Sequence, residues 1–357
     1  MYCVKCGVEL EDGVKRCPLC ETAVPEIKGM EEKFAKEYPI VNINLYEMKM
    51  KKVCLIFLVA ALLSSCKQGN RQSRTGGDGK PVLTVTIEPL RFFTEAIAGD
   101  KFTVVSMVPK GTSPETYDPT PAQLVDLAES KAYFRIGYIG FEQVWMDKLA
   151  DNAPHMQFYD MSEGVELISD ESHAHETHAH QEGHTHGEHT HAEGIEPHIW
   201  NSAVNAQIIA GNILNALCSI DKSNGEFYTE RYHALIRRIE RTDSLICAML
   251  SNAEADRAFM IYHPALSYFA RDYDLHQITI EANGKEPSPA HLKELINTCK
   301  AERVRVVFVQ PEFDRRHAEI IARQTGTRVV GIHPLSYDWE EEMVNVARNL
   351  SSIPPSP

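Results

Sequence analysis

The chain has 357 residues, of which 43% are apolar and 24% are charged, which is the profile of a globular protein long enough for two lobes of ordinary size. This composition excludes a chain that is disordered throughout. The formal net charge of −14 argues against a nucleic-acid or anionic-lipid partner, because clustered Lys and Arg bind those surfaces, and it is compatible with the attraction of cations.

Four cysteines open the chain in a Cys-x-x-Cys, ten-residue gap, Cys-x-x-Cys array: Cys3, Cys6, Cys17 and Cys20. This is the spacing of a tetrahedral four-thiolate zinc site with two knuckles, and a segment this small needs a metal or another cross-link to fold. The array predicts a zinc ribbon within residues 1–25. The alternatives are chance spacing or two disulfides.

The next segment, residues 48–66, has the pattern of a bacterial lipoprotein signal. A basic start is followed by eleven apolar residues and then by Ser64-Ser65-Cys66. The apolar run is too short for a membrane-spanning helix, which needs about 20 residues. We therefore expect Cys66 to be lipidated, and residues 67–80, which are rich in Gly, Ser, Arg and Gln, to form a flexible tether.

These two N-terminal segments conflict, because reduced zinc thiolates belong in the cytosol whereas a secretion signal should stand at the extreme N-terminus. Two interpretations resolve the conflict. Translation starts at Met48 or Met50 and residues 1–47 are a fusion or a misassigned start, or the signal is an internal anchor that leaves the ribbon inside the cell. The first interpretation is favoured.

From Pro81 onward, short apolar strands alternate with helical patterns, which predicts parallel α/β units. We expect an N-terminal lobe over residues 81–220, a linking helix within 223–253 and a C-terminal lobe over 254–351. In the linking segment, apolar residues recur at helical spacing for about seven turns. The fold class predicted is therefore two parallel-sheet α/β lobes joined by a long helix.

Three further cysteines, Cys218, Cys247 and Cys299, lie far apart inside apolar patterns of this region. We predict that they are buried and unpaired.

A tract within residues 171–194 holds eight of the 16 histidines of the chain. They are His173, His175, His178, His180, His184, His186, His189 and His191. Neutral imidazole binds borderline cations such as zinc, and a tract so poor in apolar residues cannot bury enough surface to hold a fixed shape. The tract predicts a mobile, low-affinity metal-gathering loop, and the alternative is a solvated insertion with no ligand role.

Several motifs between Val82 and Leu350 resemble, in their order and spacing, the substrate-binding lipoproteins of bacterial zinc and manganese ABC importers, most closely the zinc members. The motifs are Val108-Pro109-Lys110-Gly111, Pro114 to Pro121, Glu196-Pro197-His198-Ile199-Trp200, Tyr262-His263-Pro264-Ala265 with Tyr268-Phe269, Gln310-Pro311-Glu312-Phe313, and Ile332-His333-Pro334-Leu335. A His-rich acidic insertion just before the second metal ligand of the family is also typical of its zinc members.

The resemblance implies that His198 and His263, one from each lobe, bind the metal. The structural alternatives are a helix-capping histidine at position 198 and an ordinary loop histidine at position 263. The turn from Glu281 to Glu286 carries spare charge and could orient a ligand histidine.

At two other positions the sequence departs from the family pattern. Glu115 stands where the family has its first ligand histidine, and His333 stands where the family usually has an acidic fourth ligand. If both bind, three imidazoles and one carboxylate suit tetrahedral Zn²⁺. The alternatives for the fourth position are Asp338, Glu312 or water, and both Glu115 and His333 could instead be loop residues without a ligand role.

The function implied by this resemblance is capture of Zn²⁺ outside the cytoplasmic membrane and delivery to an ABC permease driven by an ATPase. We expect a monomer that is held to a membrane by its lipid and lies in the periplasm or at the cell surface. The chain would bind and not catalyse, since it has no His-Glu-x-x-His helix. The alternatives are a surface metal store or adhesin dominated by the His-rich loop, a manganese importer component, and a zinc metalloenzyme.

Overall fold

The computed structural model describes residues 79–169, 194–282 and 284–351. The predicted zinc ribbon, the signal with Cys66, nearly all of the tether and the His-rich tract lie outside these described residues.

In the first lobe, strands alternate with helices. The elements are β1 (Val82–Val85), α1 (Glu88–Ala98), β2 (Thr103–Ser106), α2 (Pro121–Leu127), β3 (Ala132–Arg135), α3 (Gly140–Asn152) and β4 (Gln157–Asp160). They are followed by α4 (Ala203–Ile220) and a short 3₁₀ turn at Lys222–Asn224.

The long helix α5 (Gly225–Leu250) leads to the second lobe. The elements there are β5 (Ala258–Ile261), α6 (Ser267–Asp272), β6 (His276–Thr279), α7 (Pro289–Ala301), β7 (Val306–Val309), α8 (Arg316–Thr325), β8 (Arg328–Gly331) and α9 (Trp339–Leu350).

Each lobe has a four-stranded parallel sheet, with strand order β2-β1-β3-β4 in the first and β6-β5-β7-β8 in the second. The central strand β7 is buried along its whole length, as expected of a parallel strand covered by helices on both faces. The predicted α/β architecture is confirmed. In such sheets the loops at the carboxyl ends of the strands form the natural binding crevice.

The predicted linking helix is present as α5, whose buried face includes Leu235, Ile239 and Ile246 at helical spacing. Among the described residues, α4 is long and apolar enough to cross a membrane by length and composition. One face of α4 is buried in the hydrophobic core, and an apolar composition is equally expected of such a core helix. The prediction for the three cysteines is only partly right, since Cys299 is buried, Cys218 is half-buried and Cys247 is exposed.

One hydrophobic core runs through both lobes. Trp339 of the second lobe packs against Phe93 of the first, with ring centroids 5.2 Å apart, and its indole N–H donates to the Trp200 carbonyl at 2.7 Å. The Trp200 indole N–H donates in turn to the Pro334 carbonyl at 2.8 Å. Buried bonds of this kind fix the positions of the loops that meet between the sheets.

Candidate metal centre

A small cavity with a volume of about 30 Å³ lies where loops of the two lobes meet. This volume suits a water molecule or a single ion and is far below the several hundred Å³ of sites for organic ligands. Its lining residues are Ser113, Pro114, Glu115, His198, His263, Ala265, Gln310, Glu312, Phe313, Pro334 and Leu335. Most of these residues follow the carboxyl ends of β2, β5, β7 and β8.

His198 comes from the segment that precedes α4 and is 5% exposed. Its Nδ1 is hydrogen-bonded to the Glu196 carboxylate, and its backbone N–H donates to the same oxygen at 2.9 Å. Burial lowers the pKa of His198, but the Glu196 charge and hydrogen bond raise it more, and the charges of Glu115 and Glu281 add to this, so the net shift is upward. The two contacts with Glu196 fix the orientation of the ring, with Nε2 facing the cavity.

His263 follows β5 and is held by three neighbours. The Nδ1 atom lies 2.9 Å from the Glu281 carboxylate, so the contact expected from the Glu281 turn is present. The Gln310 side chain pairs with the His263 backbone, since its amide N–H donates to the carbonyl at 2.6 Å and its oxygen accepts the backbone N–H at 3.3 Å. Phe313 stacks on the imidazole with ring centroids 5.2 Å apart.

The two imidazoles meet across the lobes, with Nε2 of His198 3.2 Å from Nε2 of His263. Each Nδ1 faces a carboxylate and therefore carries a proton. Both Nε2 lone pairs then point at each other, and a hydrogen bond between them needs one further proton. A metal ion at this position would find two oriented nitrogen ligands, each backed by a carboxylate.

Glu115 reaches the same cavity from the loop after β2. One carboxylate oxygen, Oε2, accepts the backbone N–H of Gly140 at 3.0 Å at the start of α3, where the helix dipole favours a negative charge. A Cβ at position 140 would approach this oxygen to 2.7 Å, so only glycine fits there. The other oxygen, Oε1, is buried without a hydrogen-bond partner among the described residues. A buried carboxylate oxygen in this state is suited to accept a cation.

The turn that presents Gly140 is itself fixed by a buried carboxylate. Glu142 is 2% exposed and accepts the Ile136 backbone N–H at 2.9 Å, the Gly137 backbone N–H and the Thr86 hydroxyl. Burial raises the pKa of Glu142 to about 7. Glu142 thus ties β1, β3 and α3 together behind the Glu115 loop.

The structure does not bring His333 to the cavity. The neighbouring Ile332 and Pro334 are buried, and His333 between them is exposed with its backbone N–H bonded to Glu342 at 2.9 Å. Its side chain therefore faces solvent and does not line the cavity. Asp338 is also exposed and is absent from the lining, whereas Glu312 lines the cavity. Of the side chains considered for the fourth position, Glu312 is the one that the geometry favours.

In the described part of the chain, no three His, Cys, Asp or Glu side chains are already arranged as a metal shell. Completing a shell around the two imidazoles therefore requires Glu115 or Glu312 to move toward them. Sequence reasoning missed the roles of Glu196, Gln310 and Phe313. The position of Glu196 two residues before His198 was the available signal, because a carboxylate there can reach the ring.

Comparison with known proteins gives a consistent result. Residues 83–352 match the family described as zinc-uptake complex component A, periplasmic (ZnuA). The high-affinity zinc uptake system protein ZnuA of Bacillus subtilis is 28% identical over 289 residues, which cover 80% of this chain and 87% of that protein. The manganese ABC transporter substrate-binding lipoprotein PsaA of Streptococcus mitis is 27% identical over 287 residues, covering 78% and 86%.

A solved structure with the same architecture is the crystal structure of ZnuA. It superposes with a TM-score of 0.68 at 33% sequence identity, and the match covers 76% of this chain and 98% of that one. The similarity thus spans both lobes and α5.

Proposed function

Because the chain belongs to the zinc-uptake complex component A family, we propose that it is the extracytoplasmic substrate-binding component of a metal ABC importer and that its cargo is Zn²⁺. The protein binds the ion and passes it to a permease driven by an ATPase. It does not catalyse a reaction. The lipoprotein relative supports lipidation at Cys66, with residues 67–80 as the tether.

One observation carries the choice of cargo site. The Nε2 atoms of His198 and His263 lie 3.2 Å apart in a cavity that Glu115 also lines, and Oε1 of Glu115 is buried with no hydrogen-bond partner among the described residues. Two imidazoles and a carboxylate form a known zinc donor set, with a fourth position left for water or another ligand. Glu312 or water fills that position here.

The residues support a route of capture by ligand exchange. The histidines between His173 and His191 raise the local metal concentration, and the ion passes to the cavity, where affinity is higher. It binds to the Nε2 atoms of the two imidazoles, while Glu196 and Glu281 keep the rings in place. The buried bonds between the lobes, such as Trp339 to Trp200, favour local movement of the Glu115 loop over a large lobe closure.

A competition titration with zinc and manganese tests the cargo, using the chain from Lys67 onward without residues 173–191. The described residues on either side of the deleted segment lie close together, because Ser169 pairs with Ile195 and the Glu196 N–H donates to the Ile168 carbonyl at 3.0 Å. We expect one tight zinc equivalent per chain that an excess of about 100-fold manganese does not displace, since imidazole favours zinc.

Other outcomes identify the alternatives. If the chain without residues 173–191 had no tight zinc site, a surface metal store or adhesin would be favoured. Manganese binding as tight as zinc binding would favour a manganese importer component. Hydrolysis of an ester or peptide by the zinc-loaded protein would favour a metalloenzyme.

Zinc affinity is expected to fall as the pH is lowered. The fall should begin at a pH above 6.5, the ordinary pKa of histidine, because the pKa of His198 is raised. The proton competes with the metal for His198, and a raised pKa means that this proton is held more tightly, so competition starts at higher pH. Below that pKa the affinity should drop by about tenfold per pH unit for each proton displaced. Chelator competition between about pH 5 and 8 measures this, and a constant affinity over that range would contradict it.

A further inference from the structure

We propose that Tyr268, assisted by Ser267, is a positioning residue that fixes the metal-binding His198 from the opposite lobe. This inference rests on the proposed function, since it assigns a role at the same site. Tyr268 touches neither imidazole through its hydroxyl and acts on His198 through Glu196.

Tyr268 lies in α6 and is 0% exposed. Its hydroxyl donates to the Glu196 backbone carbonyl at 2.8 Å and accepts the Ile168 backbone N–H at 3.1 Å. Burial raises the pKa of Tyr268 to about 12, so the hydroxyl keeps its proton under physiological conditions. One side chain of the second lobe thereby holds two backbone segments of the first lobe, one before and one after the His-rich tract.

Glu196, the residue held in this way, is 4% exposed and all of its polar groups are engaged. The backbone N–H donates to the Ile168 carbonyl at 3.0 Å, and one carboxylate oxygen is bonded to the His198 ring and backbone. The second oxygen lies 3.1 Å from the Ser267 hydroxyl, which is also 3.2 Å from the Pro264 carbonyl. Ser267 has one hydroxyl proton for two acceptors, so its hydrogen bond to Glu196 is shared with the Pro264 carbonyl. We therefore expect Tyr268 to contribute more than Ser267 to fixing the position of Glu196.

The same segment of chain carries the other metal-binding residue. His263 and Tyr268 are five positions apart, and Ala265 between them accepts a hydrogen bond from Asn201 at 2.9 Å. A short path therefore joins the two imidazoles, whose Nε2 atoms lie 3.2 Å apart. It runs along five residues of chain from His263 to Tyr268, through the Tyr268 hydrogen bond to Glu196, and from Glu196 to the His198 ring. A metal site needs its ligands held to within about 0.5 Å, and partners behind the ligands provide this.

Tyr268→Phe removes the hydroxyl and keeps the buried ring. We expect zinc affinity to fall by about tenfold, the lower end of the effect of losing a partner behind a metal ligand. Ser267→Ala should weaken binding by a smaller factor. With Co²⁺ as a spectroscopic probe, the absorption of the bound ion should change in Tyr268→Phe, because the His198 ring is less constrained.

Tyr273→Phe is the matched control. The Tyr273 hydroxyl also makes a hydrogen bond, to Asp243 at 2.7 Å, and neither residue lines the cavity. Both tyrosine variants lose one hydroxyl, so both should lower the melting temperature, and Tyr268→Phe alone should change zinc affinity and the Co²⁺ spectrum. The measurements use the chain from Lys67 onward, which leaves out the predicted zinc ribbon, with a chelator strong enough to empty the weak loop sites.

Equal zinc affinities in Tyr268→Phe, Ser267→Ala and Tyr273→Phe would overturn the positioning role. A wild-type protein without a tight zinc site, or one whose tight site survives loss of both His198 and His263, would instead overturn the proposed function and this inference with it. If Tyr268→Phe does not fold, Ser267→Ala against Tyr273→Phe decides the question.

Discussion

Replacing both His198 and His263 with Ala is expected to lower zinc affinity by about four orders of magnitude. Four-ligand zinc sites give about 10–16 kcal/mol of binding free energy, or about 3 kcal/mol for each ligand, so two lost ligands cost about 6 kcal/mol. The Nε2 atoms of the two imidazoles lie 3.2 Å apart at the cavity. Without both rings, the remaining lining residues that can carry a charge are Glu115 and Glu312. Competition titration against a strong chelator measures the change.

Two histidines outside the cavity provide the control. His276 and His291 each face a glutamate, with Nδ1 2.5 Å from Glu302 and 3.7 Å from Glu294 respectively. Replacing both with Ala removes the same number of imidazoles and should leave the tight zinc equivalent intact. Circular dichroism establishes that the variants are folded. If the cavity variant keeps its tight site, the ligands have been assigned wrongly and the His-rich tract becomes the main binding element.

Trp339→Ala is expected to destabilise the protein by about 3–5 kcal/mol, the range for removing a buried tryptophan from a packed core. The indole is 2% exposed, packs on Phe92 and Phe93, and donates its N–H to the Trp200 carbonyl. The change leaves both a cavity and an unpaired buried carbonyl at the junction of the lobes. Urea unfolding of the metal-free protein, followed by circular dichroism, gives the free energy of unfolding.

Trp145→Ala is the corresponding control, because Trp145 is a half-buried indole bonded to Asp118 at 3.1 Å within one lobe. We expect this change to cost about 1 kcal/mol. Since the core continues through both lobes, the wild-type protein should unfold in one transition. Two separate transitions, or equal losses from the two tryptophan changes, would show that the lobes are energetically independent.

Much of the fold followed from local patterns. Alternating short apolar strands and helical segments predicted parallel α/β lobes, and apolar residues three and four apart predicted the long helix that is present as α5. Such periodicities depend on which side of each element is buried. The exposed Cys247 is an exception, since an apolar stretch in a long helix does not specify on which side each member lies.

The meeting of the site residues was only partly predictable. Motif order selected His198 and His263, and the structure brings their Nε2 atoms together. His333 was selected in the same way and is exposed, while Glu312, an alternative for its position, lines the cavity. The side to which a loop residue points depends on how the chain leaves its strand, and a motif does not contain this.

The sequence by itself determined the α/β class and the two-lobed organisation, because these depend on hydrophobic period along the chain, and its resemblance to a known family selected the pair of histidines. Only the tertiary structure decided that Glu196 and Glu281 contact the imidazoles, that one Glu115 oxygen is buried without a partner among the described residues, and that Tyr268 holds Glu196 from the other lobe. These contacts join residues distant in the chain or depend on loop direction, so they exist only once the lobes have packed around a common core.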